Sequence, residues 1–151
     1  MDLSATATDA ISGLASLLIS TDGGASWVNP PIHFTDGSHA ALIHARDVAG
    51  NEVTVSKVIR IDTVPPVAQI TSHSNGEVVQ GDVPFSGSLV DGMSGPEGGE
   101  VSVDGGNTWH AVSISAGDGW SYNWHSGEVP NGEYTIQMRG RDRAGNVGDV
   151  V

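Results

Sequence analysis

Three aromatic side chains occupy alternate positions in the C-terminal part of the chain: Trp120, Tyr122 and Trp124. Alternate residues of a β-strand point to the same face, with Cα atoms about 6.5 to 7 Å apart, so the rings would form a flat row. Such a row could stack on the sugar rings of a polysaccharide. The alternative is that this is the inner face of a small β-protein, where large aromatic residues supply much of the core. The first interpretation predicts a carbohydrate-binding module, and the second predicts a structural one.

Carboxylates offer a second kind of chemistry. Asp62, together with Asp91, Asp47 or Asp142 in nearby loops, could form an oxygen-rich calcium site at a joint between modules. The sequence contains no contiguous calcium-binding loop, and loop carboxylates commonly accept hydrogen bonds within their own turns. We therefore expect no resident cofactor, and calcium at this joint is the alternative.

Other residue types give no catalytic pattern. The histidines are dispersed without metal-ligand spacing, and nucleophile-elbow, phosphate-loop and dinucleotide motifs are absent. The chain contains no Cys, which excludes disulfides, thiolate metal sites and a Cys nucleophile. We predict that the protein is not an enzyme. The six histidines are His33, His39, His44, His73, His110 and His125.

The charge balance restricts the partners. Eighteen Asp and Glu residues against six Lys and Arg residues give a net charge of −12. Nucleic-acid binding depends on clustered basic side chains, so nucleic acid is not an expected partner. No apolar run is long enough to span a membrane, and the first residues do not form a signal peptide. We expect the natural chain to be longer, with a further strand before Met1.

The elements that carry these residues are repeated. Residues 3–27 return as residues 85–109 without a gap, at a constant offset of 82. Residues 46–51 return as 141–146 at an offset of 95, which indicates a 13-residue insertion in the second copy between Trp109 and Asn131. A tandem repeat of this kind indicates that the residues shared by both copies belong to the scaffold.

Two turn motifs occur in both copies. S-T-D-G-G-A-S-W and S-V-D-G-G-N-T-W (residues 20–27 and 102–109) fit the Asp-box pattern known from sialidases, in which the Asp accepts turn amides and the Trp packs across a hairpin. R-D-V-A-G-N and R-D-R-A-G-N predict hairpin turns whose Gly adopts a left-handed conformation. The structural turn residues are Asp22, Gly24, Trp27, Asp47, Gly50, Asn51, Asp104, Gly106, Trp109, Asp142, Gly145 and Asn146.

Short strands joined by turn residues predict an all-β fold of two antiparallel β-sandwiches, one for each copy. We predict strands in the second copy at 67–72, 83–90, 100–103, 109–114, 120–124, 133–141 and from Val147. Alternation predicts that Tyr134, Ile136, Met138 and Gly140 face the core. The same mapping places His39, Ala41, Ile43 and Ala45 inside the first copy, with Leu42 outside.

The first copy is the reduced one. We predict modules at residues 1–62 and 67–151, joined by a linker at 63–66 that Pro65 and Pro66 stiffen. Without a first strand and the insertion, the first copy would leave sheet edges open, and Lys57 interrupts its last strand in the manner of a bulge or an edge. Open edges indicate a strand-exchanged or edge-paired homodimer as a candidate assembly.

Taken in order, D-x-x-S-G, the Asp box, R-D-x-A-G-N and the I-D-T-V-P-P linker resemble the bacterial Ig-like modules of large secreted and surface proteins. The resemblance implies a spacer, stalk or adhesion role in a longer extracellular or cell-surface protein. The implied partners are other modules of the same parent protein, and a polysaccharide or a surface protein.

The second copy has a narrower resemblance. V-S-V-D-G-G-N-T-W-H-A-V, W-S-Y-N-W and R-D-R-A-G-N are similar to the Ig-like dimerisation domain of molybdopterin oxidoreductases such as sulfite oxidase. That family implies an upstream cofactor domain with a Cys ligand to molybdenum. Here the upstream segment is another Ig-like copy and no Cys exists. The pattern supports the fold and leaves an oxidoreductase activity without support.

Overall fold

The structure is a computed structural model that describes all residues, Met1–Val151. The chain divides into two compact units, Met1–Asp62 and Thr63–Val151. Both units are built from antiparallel β-strands, and no α-helix is present. No helix is long and apolar enough to cross a membrane.

The first unit contains five strands: β1 (Asp2–Leu3), β2 (Leu14–Ser20), β3 (Ile32–His33), β4 (Gly37–Asp47) and β5 (Glu52–Ile61). Strands β2, β4 and β5 form one sheet in that order, and β1 pairs with β3. The core is small, because Ile19, Phe34, Ala41 and Ile61 are its only buried apolar side chains. It is formed where the short β1–β3 pair and its flanking residues meet the three-stranded sheet.

The second unit contains seven strands: β6 (Val67–Ile70), β7 (Asp82–Val90), β8 (Pro96–Ser102), β9 (His110–Ala111), β10 (Ser113–Ile114), β11 (Gly119–His125) and β12 (Gln137–Asp142). One sheet has the order β10-β11-β7-β6 and the other has the order β12-β8-β9. Both sheets contribute to one buried cluster, with Phe85 and Leu89 from the first sheet and Met138 from the second. The predicted Ig-like sandwich is confirmed for this unit.

The predicted core face of β12 is correct. Met138 is fully buried and Gly140 lies beside it on the same face. Tyr134 and Ile136 pack against the same cluster from the segment before the strand. A Cβ at Gly140 would lie only 2.0 Å from Leu89 Cδ1, so glycine is required at this contact between the two sheets.

Three strand predictions need correction. Residues 109–114 do not form one strand, because His110 and Ala111 pair with β8 whereas Ser113 and Ile114 pair with β11 in the other sheet. Residues 133–136 precede β12 and are not part of it. The predicted strand from Val147 is reduced to a single bridge with Arg141, followed by reciprocal backbone hydrogen bonds between Val151 and Met138.

In the first unit, β4 and β5 pair without a bulge from Gly37 opposite Ile61 to Arg46 opposite Glu52. No bulge is present at Lys57. The lysine is accommodated because β5 is the edge strand of its sheet. Leu42, predicted to face outward, is half-buried, with Cδ1 3.7 Å from the position of a Cβ on Gly24. It packs over a turn of its own unit.

Candidate functional site

The Asp box of the first unit is a closed network of local hydrogen bonds at the end of β2. The Ser20 hydroxyl donates to Asp22 Oδ1 at 2.8 Å and accepts the Gly24 amide at 2.8 Å. Asp22 also accepts the backbone amide and the hydroxyl of Ser26. The Trp27 indole donates to the Gly24 carbonyl at 3.1 Å. The turn therefore satisfies its own carboxylate, hydroxyl and indole groups.

The second unit repeats this network after β8. The Ser102 hydroxyl donates to Asp104 at 2.8 Å and accepts the Gly106 amide at 2.8 Å. Asp104 accepts the Thr108 amide at 2.9 Å and its hydroxyl at 2.6 Å. The Trp109 indole donates to the Gly106 carbonyl at 3.1 Å. Ser26, at the seventh position of the first box, thus performs the same task as Thr108 of the second.

These donors keep both box carboxylates ionised. The Thr108 hydroxyl and amide, followed by the Ser102 hydroxyl, lower the pKa of Asp104 from 3.8 to about 2. The Ser26 side chain and amide lower the pKa of Asp22 further still. A carboxylate with several short hydrogen bonds from its own turn is a weak base and has few lone pairs left for a ligand. Its chemistry is that of a turn stabiliser.

The two box tryptophans have different neighbours. The Trp27 ring lies 5.4 Å from the ring of His44, whereas the Arg139 guanidinium carbon lies 4.1 Å above the Trp109 ring. Arg139 also donates two hydrogen bonds, of 2.7 and 2.9 Å, to Glu100 on the paired strand β8. Strand alternation places Arg139 on the face opposite Met138 and Gly140, but it does not reveal this cation–π contact.

The R-D-x-A-G-N segments are also closed turns. Asp47 accepts the Asn51 amide at 2.8 Å and its side-chain nitrogen at 2.7 Å, and Gly50 has a φ of +95°. Asp142 has the same two bonds with Asn146, and it is fully buried. Burial opposes ionisation of Asp142, but the Asn146 side chain and amide outweigh it and hold its pKa below the ordinary value.

A third repeated turn, D-x-x-S-G, lies against the previous one in each unit. Asp9 accepts the amides of Ser12 and Gly13 at 2.6 and 2.8 Å, and Asp91 accepts the Gly95 amide at 2.6 Å. The residue after the R-D pair donates its backbone amide to the carbonyl of the Gly in this turn. Val48 donates to Gly13 at 3.0 Å, and Arg143 donates to Gly95 at 3.1 Å. The repeated glycines therefore join two turns at one end of each unit.

This arrangement bears on the calcium prediction. In the second unit, carboxylate oxygens of Asp91 and Asp142 lie within 4.8 Å of each other. Both carboxylates already accept turn amides, which compensate part of their mutual repulsion. Asp47 is engaged in its own turn in the first unit. The calcium site that would also use Asp62 stays a prediction.

The aromatic strand β11 faces inward. Trp120 is 2% exposed and Trp124 is 7% exposed, and both belong to the core cluster. The Trp120 indole donates to the Gln69 carbonyl at 3.0 Å, and the Trp124 ring lies 5.1 Å from the ring of Tyr134. Trp120 and Trp124 therefore lie in the core and not at the surface. Periodicity defines the face that the three aromatic residues share but not what covers that face.

Residues 66–138 match the sequence model of the bacterial Ig domain family. The second unit is a bacterial Ig-like module. The match begins immediately before β6 and ends within β12, so it includes residues of both sheets of the sandwich. A comparison with curated proteins found no match to this chain. Bacterial Ig domains are typically non-catalytic and are commonly extracellular or surface-located.

Within the Ig-like module, Tyr122 is the one member of the aromatic row that is half-buried, and its ring stacks on His110 at 5.6 Å. His125 Nδ1 lies 2.6 Å from Asp82, and the hydrogen bond with that carboxylate raises the pKa of His125. His73 Nδ1 lies 3.1 Å from Glu77, which raises its pKa in the same way. These histidines belong to separate local contacts.

The histidines of the first unit are equally local. His39 Nε2 lies 2.8 Å from the Thr35 carbonyl oxygen, and its ring lies 4.7 Å from that of Phe34. His39 is thus packed against Phe34, a residue of the core, as expected for the inner face that alternation predicted for it. His33 pairs with Asp2 at 2.8 Å across the short β1–β3 sheet.

Proposed function

We propose that the chain is a non-catalytic spacer or stalk segment of a larger bacterial secreted or cell-surface protein. The observation that carries the proposal is that the Asp residues repeated in both units accept hydrogen bonds from their own turns. Repeated use of the same side chains for turn closure in both units is the behaviour of a scaffold, whereas a catalytic or binding carboxylate needs free lone pairs. The mechanism is steric: folded units hold other parts of the parent protein away from a surface.

Display on a bacterial cell tests the spacer role. The chain is placed between a surface anchor and an epitope tag, and antibody binding to the tag is measured on intact cells after mild protease treatment. We expect the folded chain to keep the tag accessible. A variant of equal length, Leu89→Asp, places a charge in the fully buried core and should lose the tag to proteolysis. Equal retention of the tag by both chains would contradict the proposal.

A binding assay separates the spacer from a carbohydrate-binding module. Soluble polysaccharides and cell-wall fragments are titrated into the chain, and binding is followed calorimetrically. We expect no saturable heat, because the two largest rings of β11 are buried. Saturable binding that disappears in a Tyr122→Ala variant with an unchanged melting temperature would establish the binding module instead.

We further propose that no resident metal is needed for stability. The melting temperature should be the same in excess calcium and in excess chelator, since turn amides already satisfy Asp91 and Asp142. A melting temperature that rises in excess calcium, and that no longer rises in an Asp91→Asn variant, would establish a calcium site.

A further inference from the structure

The edge strand β5 presents an open row of backbone groups. β5 is the outermost strand of its sheet, and it pairs only with β4. The hairpin is closed by a hydrogen bond from the Asp47 amide to the Asn51 carbonyl. Hydrogen-bonded pairs alternate along an antiparallel ladder, so the odd-numbered residues of β5 bond to β4. The even-numbered residues, from Glu52 to Arg60, therefore direct their amides and carbonyls to the open edge.

The same strand exposes an unusual amount of apolar surface. Val53, Val55 and Val58 are 57%, 54% and 66% exposed. Val53 and Val55 lie opposite Ala45 and Ile43 in the ladder, and thus on the core-facing side of the sheet. Long edge strands with exposed valines pair readily with another strand, and Lys57 is the only charge in the centre of β5. Exposed valines and few charges are the composition expected of an edge strand that pairs with another strand.

We propose that β5 pairs antiparallel with β5 of a second copy of this chain, around a two-fold axis at Ser56. This pairing goes beyond the spacer function and does not depend on it. It would extend the three-stranded sheet of each copy into one continuous sheet of six strands. Ser56 would lie opposite Ser56, Val53 opposite Ile59, and Glu52 opposite Arg60.

The register follows from face matching and charge. Only registers that pair odd with odd residues keep the apolar faces of both copies on the same side of the joined sheet. A centre at Lys57 would place two lysines opposite each other, which is destabilising, and a centre at Val55 would leave Arg60 beyond the partner strand. The centre at Ser56 brings Arg60 of one copy opposite Glu52 of the other twice by symmetry, where it would join the existing 3.5 Å ion pair between Glu52 and Arg46. This self-complementarity favours a second copy over an unrelated strand.

Sedimentation velocity of the full 151-residue chain across a concentration series tests the pairing. We expect a monomer–dimer equilibrium that Ser56→Pro weakens about tenfold or more, because proline removes the central outward amide from both copies. Ser56→Ala is the matched control, since it keeps that amide and should dimerise like the parent chain. A parent chain that stays monomeric to about 1 mM would overturn the proposal, and so would a dimer unaffected by Ser56→Pro in a folded variant.

Charge exchange provides a test that does not depend on proline. Arg60→Glu places like charges opposite Glu52 and should weaken the dimer, as should Glu52→Arg, which faces Arg60. The double variant restores opposite charges and should recover most of the affinity. Circular dichroism and thermal melting report whether each variant remains folded. Additive weakening without recovery in the double variant would show that another surface forms the dimer.

Discussion

At the scale of single residues, the serine that opens each Asp box is a polar side chain held in the interior. Ser20 and Ser102 are both buried, and each hydroxyl donates to the box Asp while it accepts a turn amide. The buried hydroxyl is tolerated because both its donor and its acceptor are hydrogen-bonded to groups of the turn. The serine therefore connects the end of a strand to the conformation of the following turn.

Ser102→Ala should destabilise the Ig-like module by about 1–3 kcal/mol, because the half-buried Gly106 amide loses its acceptor. Thermal unfolding followed by tryptophan fluorescence measures the change. Ser113→Ala, at an exposed position of β10, is the control and should leave the melting temperature unchanged. An equal effect of both substitutions would refute the role of the buried hydroxyl.

The box carboxylate makes stability depend on pH in acid. Because the pKa of Asp104 is depressed in the folded state, its contribution is fully present above the unfolded value of 3.8 and is lost as the pH falls towards about 2. We expect acid unfolding of the Ig-like module to begin below about pH 4. Asp104→Asn should flatten the pH dependence of the melting temperature between pH 4 and pH 2. An unchanged slope would mean that other carboxylates dominate acid unfolding.

At the scale of elements, the two sheets of the Ig-like module approach each other at Gly140 and Leu89. Leu89 is fully buried, so it has little room to move away from an added methyl group. The space between the strands is thus set by a residue without a side chain. This is a requirement of the packing of β7 on β12, and it does not follow from the conformation of β12 alone.

Gly140→Ala should destabilise the module by about 1–3 kcal/mol through overpacking against Leu89. Gly98→Ala is the matched control on the paired strand β8, because a Cβ there meets nothing within 4 Å. We expect the control to be neutral or slightly stabilising, since alanine lowers the entropy of the unfolded chain. Denaturant unfolding compares the two variants. Equal stability would show that Leu89 can repack.

At the scale of the whole molecule, the two units differ in how they bury apolar surface. The Ig-like module encloses eight buried apolar residues between two sheets, whereas four form the core of the first unit. Small domains gain stability steeply with the fraction of surface that they bury. We therefore expect the second unit to fold on its own more readily than the first.

Residues 63–151 expressed alone should fold cooperatively, with a melting temperature close to that of the full chain. Residues 1–62 alone should unfold without a sharp transition, because the exposed valines of β5 leave little apolar burial to offset chain entropy. Circular dichroism and thermal melts of both fragments measure this. A cooperative transition in the shorter fragment would contradict the expected dependence on core size.

What the sequence determined by itself is the local chemistry. The Asp boxes, the R-D-x-A-G-N turns and the inward face of Met138 and Gly140 depend on residues within a few positions of each other. Donor and acceptor lie in one short segment, so their order along the chain is sufficient to specify the turn. Strand alternation likewise assigns residues to faces without knowledge of any partner.

Only the tertiary structure decided which surfaces those faces meet. Alternation grouped Trp120 with Trp124 but could not say that a second sheet covers them, and it could not divide residues 109–114 between two sheets. In the first unit, Lys57 left open whether β5 contains a bulge or lies at an edge, and the structure shows an edge strand without a bulge. Partner choice depends on packing between segments far apart in the chain, which a pattern of period two does not encode.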